Sequence, residues 1–90
     1  MVKKVYKMSA IWCAPCRVYA QTFGNVSKMD AYKDIEFKEF DADENEELFI
    51  KYAIRGVPTT LFLDENDKEL IRISGNVPQK TLTDTIDFYK

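Results

Sequence analysis

Two cysteines, Cys13 and Cys16, stand three positions apart and are the residues of this sequence best suited to chemistry. They are the only cysteines in 90 residues, and the chain has no histidine. Two thiols at that spacing can bind a metal, fill a core, or exchange electrons by forming and breaking one disulfide. A structural zinc site normally takes four Cys or His ligands, and this chain supplies two, so no metal is expected. In a reducing compartment a close pair is more often catalytic than a structural staple. Two buried cysteines that simply fill a core are the plain alternative.

The surrounding elements favour the redox reading. Val2 to Ala10 reads as a strand, although the lysines at 3, 4 and 7 blur its alternation. Trp12 to Cys16 is a break, and a long helical stretch follows. Tyr19, Phe23, Val26 and Met29 recur there at helical spacing. Cys13 then falls at the helix N-terminus, where backbone N–H groups and the helix dipole stabilise an anion. Such a position can lower a thiol pKa from about 8.5 to roughly 3.5–7.5. A thiolate there attacks a substrate disulfide, and Cys16, one turn deeper, attacks Cys13 and releases reduced substrate. That chemistry predicts a partly exposed Cys13 and a buried Cys16. Three-residue spacing on a helix brings the two sulfurs within bonding reach. Pro15 suits the first turn, where a missing N–H costs nothing.

Downstream, Gly24 weakens the helix and Asp30 to Asp34 closes it. Ile35 to Phe40 alternates as a second strand. Asp41 to Glu47 is an acidic loop feeding a short helix, with Asn45 as N-cap and Leu48, Phe49 and Tyr52 facing inward. Gly56-Val57-Pro58 precedes a third strand, Thr59 to Leu63. A polar turn, Asp64 to Asp67, leads into a fourth, Lys68 to Ser74, and the two make an antiparallel hairpin. Gly75 ends it. Pro78 opens a last helix with Leu82, Ile86 and Tyr89 on its inner face. The order β-α-β-α-β-β-α predicts an α/β fold: a four-stranded mixed sheet flanked by three helices. The first strands, joined through helices, should be parallel. Residues 1–90 read as one domain.

Composition excludes other classes. Thirteen Lys and Arg against fifteen Asp and Glu leave a net charge of -2 and no basic stripe, so nucleic acid is not an expected partner. No run of about 18 apolar residues is present, so no membrane span is expected. The opening Met1 to Val5 is too short for a signal peptide, and the expected compartment is the cytoplasm. Six Phe and five Tyr supply material for a core without staples.

Trp12-Cys13-Ala14-Pro15-Cys16-Arg17 resembles the thioredoxin active-site motif WCGPCK. Tyr52-Ala53-Ile54-Arg55-Gly56-Val57-Pro58-Thr59 resembles the segment that carries that family's cis-proline, and Gly75 falls at the family's glycine after the hairpin. The resemblance runs from Lys4 to the C-terminus. It implies that Cys13 is the nucleophile, Cys16 the resolving thiol, and Pro58 a cis-proline facing them. It implies that the Val57 backbone pairs with an extended substrate segment. Trp12, Ala42, Val57 and Pro58, with Ser74, Gly75 and Asn76, would form the docking surface. The implied activity is cofactor-free reduction of protein disulfides by a monomer that a thioredoxin reductase regenerates.

The resemblance is imperfect. The strand and helix that usually open thioredoxins are expected to be missing, leaving four strands in the order second, first, third, fourth and an edge strand at Ile35–Phe40. Ala14 replaces the motif's glycine, and Ser9 stands where the family has an aromatic. Ala42 and Ser74 are smaller or more polar than usual. Lys7 occupies the place of a buried Asp and Glu39 that of its partner lysine. A partly buried Lys7–Glu39 ion pair beneath Cys16 is therefore expected. Two other functions stay open: a glutathione-dependent oxidoreductase of the glutaredoxin type, and a protein-binding module with an incidental dithiol.

Overall fold

Strand β1 (Lys4–Ser9) has a neighbour on each side and organises the rest of the computed structural model, which describes residues 1–90. Successive side chains of a strand point to opposite faces. Val5 and Lys7 therefore face one side, and Tyr6 and Met8 the other. Helix α1 (Ala14–Ser27) follows, then a single 3-10 turn at Asp30–Tyr32 and strand β2 (Glu36–Asp41). Helix α2 (Glu46–Lys51), the hairpin β3 (Thr59–Leu63) and β4 (Glu69–Ser74), and helix α3 (Gln79–Tyr89) complete the chain.

The sheet order is β2-β1-β3-β4, the expected four-stranded mixed sheet with three helices. β1 and β2 are parallel, with Lys7 opposite Glu39. β3 is antiparallel to both β1 and β4. The expected parallelism thus holds for β1 and β2 and stops there. The chain enters β3 from the end at which it left β2. The strand and helix that usually open thioredoxins are expected from the sequence to be missing; that expectation is corrected, since the structure opens on a strand and a helix, β1 followed by α1.

Each face of the sheet is covered. Val5 and Phe62 pack against Tyr19, Phe23 and Val26 of α1 and Leu82 and Ile86 of α3. Met8, Leu61 and Leu63 pack on the other face with Tyr52, Leu48 and Phe49 around α2. All five residues of β3 are buried, as expected for an inner strand with helices on both faces. Edge strand β2 exposes Glu36, Lys38 and Glu39, and such charges discourage pairing with another chain. No helix is long and apolar enough to cross a membrane.

Four local expectations shift. α1 ends at Ser27, so Met29 drops out of the buried stripe, which is Cys16, Tyr19, Phe23 and Val26. The 3-10 turn instead sends Tyr32 into the core, where its hydroxyl donates to Asp87 Oδ1 at 2.8 Å. Asn45 stands at the N-cap of α2 without capping it, because its Nδ2 donates to the Asp41 carbonyl at 3.0 Å. β4 starts at Glu69, since Asp64 Oδ1 accepts the N–H groups of Asn66 and Lys68 at 2.8 and 2.9 Å and keeps Lys68 in the turn.

Candidate active site

Cys13 is the N-cap of α1, and its Sγ accepts the backbone N–H of Cys16 at 3.2 Å. Pro15 lies in the first turn, where it has no N–H to leave unpaired. No acidic side chain occupies that turn, so the positive end of a fourteen-residue helix is left facing the sulfur. The two cysteines are joined as a disulfide, with Cα atoms 5.2 Å apart.

Both cysteines are buried, Cys13 at 5% exposure and Cys16 at 2%. The expected partial exposure of Cys13 is therefore corrected for the disulfide form. Ala10, Ala42 and Val57 pack over the bonded pair. Cys13 Sγ lies 3.7 Å from the Val57 carbonyl oxygen. In the disulfide this is a contact only; a Cys13 thiol could donate along it. Trp12 stands out into solvent at 66% exposure, and Ala14 is exposed on the first helical turn.

The Val57–Pro58 peptide bond is cis and lies beside the cysteine pair. Pro58 is buried, and its carbonyl accepts the Gly75 N–H at 2.8 Å. Gly75 has φ 88°, a left-handed conformation that favours glycine. Val57, Pro58, Ser74 and Gly75 line one open cleft of ≈ 430 Å³, together with Arg55 and Arg72. Of the expected docking residues, Ala42 borders the disulfide instead, and Trp12 and Asn76 are exposed and do not line the cleft.

A second cleft of ≈ 500 Å³ lies behind Cys16. Ser9, Ala10 and Ala20 leave it open by their small size, and Lys7, Glu39, Asp41 and Arg17 supply its charges. Lys7 Nζ donates to the Cys16 carbonyl oxygen and to Glu39 Oε2, both at 2.9 Å, and lies 5.9 Å from the centre of the Tyr19 ring. Only the lysine is buried. Lys7 is 1% exposed and the Glu39 side chain 53%, because β1 lies inside the sheet under α1 and β2 lies at its edge.

Two positioning residues escaped the sequence reading. Asp41 Oδ1 accepts the Ile11 N–H at 2.9 Å, and Arg17 Nη1 donates to the Ile11 carbonyl at 3.0 Å. Both backbone groups of Ile11, two residues before Cys13, are thereby held. An Asp at the start of a loop is a common acceptor for backbone N–H groups, and that was the available signal. The assembled site can stabilise negative charge on Cys13 and interconvert a dithiol and a disulfide.

The thioredoxin family model matches residues 2–88. The chain is 42% identical over 72 residues to Thioredoxin H5 of Oryza sativa subsp. japonica, covering 80% of this chain and 52% of that protein. It is 36% identical over 80 residues to the chloroplastic M-type thioredoxin of Spinacia oleracea, covering 89% and 43%. The chain thus spans about half the length of these curated relatives. The X-ray structure of Fasciola hepatica thioredoxin matches with a TM-score of 0.85 and 34% identity, over 97% of this chain and 80% of that one. Motif, sheet order and family match coincide over the same residues, and the chain belongs to the thioredoxin family.

Proposed function

We propose that this protein is a thiol–disulfide oxidoreductase that reduces protein disulfides through Cys13 and Cys16. The observation that carries the reading is the Cys16 N–H directed at Cys13 Sγ, at the uncompensated positive end of α1. In the reduced protein that arrangement favours a thiolate on Cys13. The thiolate attacks a substrate disulfide, forming a Cys13–substrate bond and expelling one substrate thiolate. Cys16 then loses its proton and attacks Cys13 Sγ. The mixed disulfide breaks, the second substrate thiolate leaves, and each substrate sulfur takes up a proton. Two electrons have passed from the cysteine pair to the substrate.

Val57 and Pro58 lie where an extended substrate would meet the cysteine pair, and the Val57 backbone is assigned to hold it. Trp12, Ala42, Ser74, Gly75 and Asn76 are assigned to the docking surface, with Ala14 and Pro15 shaping the motif. The partners are disulfide-containing proteins and a thioredoxin reductase as electron donor. Residues 1–90 are taken as one working domain acting as a monomer in the cytoplasm, where a close cysteine pair serves redox chemistry rather than stapling.

The test is turnover of a disulfide-containing model protein with NADPH and a thioredoxin reductase. Cys13→Ser should abolish it, and Cys16→Ser should accumulate a mixed disulfide on Cys13. Alkylation of the reduced protein near neutral pH should label Cys13 first. Turnover that requires glutathione instead would replace this reading with the glutaredoxin type. Partner binding that survives replacement of both cysteines by serine, without any turnover in the native protein, would reduce the dithiol to an incidental feature.

A further inference from the structure

Lys7 is the one charged residue among the buried ones. A lysine stem normally lies along apolar surface while its ammonium reaches water. Here the ammonium is buried under α1 at the inner end of the cleft, on the backbone of the residue whose sulfur must change its charge during exchange. An apolar side chain could fill the same space without the desolvation that a charge suffers there.

The charges around it are unequally screened. β2 contributes Glu39 and Asp41, and α1 contributes Arg17 and the Tyr19 hydroxyl. β3 places Thr60, which carries no charge, opposite Lys7. Asp41 and Arg17 are both engaged on the Ile11 backbone. Glu39 is the direct counter-ion, but its side chain is half in water, which screens its field. The Lys7 charge lies in low-dielectric surroundings and is screened far less. Of the four charges around Cys16, the buried Lys7 ammonium is therefore the least screened.

We propose that Lys7 is a positioning residue for the redox step: its buried ammonium holds the Cys16 backbone and stabilises negative charge on the cysteine pair, making the couple a stronger oxidant than a neutral residue there would. The inference rests on the reading of Cys13 and Cys16 as a redox pair. The disulfide is neutral and the reduced pair carries a thiolate, so a nearby cation favours the reduced form and raises the potential. The same charge favours the Cys16 thiolate needed to resolve the mixed disulfide. The cleft behind Cys16 gives the departing proton a route to water.

The experiment equilibrates the intact protein with mixtures of reduced and oxidised glutathione and counts alkylatable thiols. Lys7→Gln keeps a donor for the Cys16 carbonyl while removing the charge. It should shift the equilibrium about tenfold toward the disulfide, a potential about 30 mV more negative for a two-electron couple. Glu39→Gln removes the screened counter-charge and should shift it the other way, by less. A residue that merely fills space would change the unfolding midpoint and leave the couple where it was. An unmoved couple in Lys7→Gln, or shifts of the same sign in both variants, overturns the proposal. If Lys7→Gln does not fold, Glu39→Gln decides alone, and no rise in potential overturns it. A native protein that never cycles between dithiol and disulfide defeats the functional reading instead, which is a separate result.

Discussion

Asp41 Oδ1 accepts the Ile11 backbone N–H at 2.9 Å, and by that bond the end of β2 holds the loop that delivers Cys13 to the tip of α1. The other oxygen, Oδ2, accepts the Asp43 N–H at 3.0 Å, so one carboxylate fixes two loops at once. Asp41→Ala should lower stability by about 1 kcal/mol, the ordinary net worth of such a bond. It should also speed proteolysis between Ile11 and Trp12 and lower kcat/KM for disulfide reduction. Urea unfolding and limited proteolysis check this. A variant unchanged in both would show that the loop is held by other contacts.

Tyr19 and Thr60 join α1 to β3 through their hydroxyls, 2.8 Å apart and both fully buried. Burial raises the Tyr19 pKa above its ordinary value, and the bond to Thr60 draws it partly back. Thr60→Val would leave the Tyr19 hydroxyl buried without this partner, at a cost of about 1–3 kcal/mol. Adding Tyr19→Phe removes the stranded group, so the double variant should recover much of that loss. A double-mutant cycle from denaturant unfolding measures the coupling, and simple additivity would count against it.

Tyr32 makes stability depend on alkaline pH. Burial, followed by the hydrogen bond to Asp87, pushes its pKa up to about 12. The unfolded value is near 10. A raised folded pKa gives stability that is complete below about pH 10 and lost as the pH rises toward about 12. Tyr6, Tyr19 and Tyr52 are shifted the same way, so the reading must be taken as a difference. The stability margin of the native protein over Tyr32→Phe should be constant below about pH 10 and narrow above it. A margin that does not change across that window would mean that Tyr32 titrates like a free tyrosine.

Much of the site was legible in the sequence, because its decisive features are local. The spacing of Cys13 and Cys16, the strand-to-helix break before them and Pro15 in the first turn all act within a few residues. Together they place a sulfur on a helix N-terminus. The hairpin from Thr59 to Ser74 and its end at Gly75 are likewise set by alternation and turn chemistry. Pro58 was assigned to the site by family resemblance, since a proline entering a strand does not by itself reveal what lies 45 positions away in sequence.

Tertiary structure decided the rest. Val57 covers the Cys13 sulfur only because the chain before β3 returns to the end of β1. Tyr32 is a core residue only because a single 3-10 turn redirects it toward α3. The direction of β3, antiparallel to β1 although a helix precedes it, is visible only in the assembled sheet. Lys7 and Glu39 show the division most sharply. Each reads as a charged strand residue, and their pairing follows from parallel register. Their burial differs because β1 has neighbours on both sides and α1 above it, whereas β2 has open water at its edge. Periodicity records which way a side chain points; strand order decides how much solvent remains there.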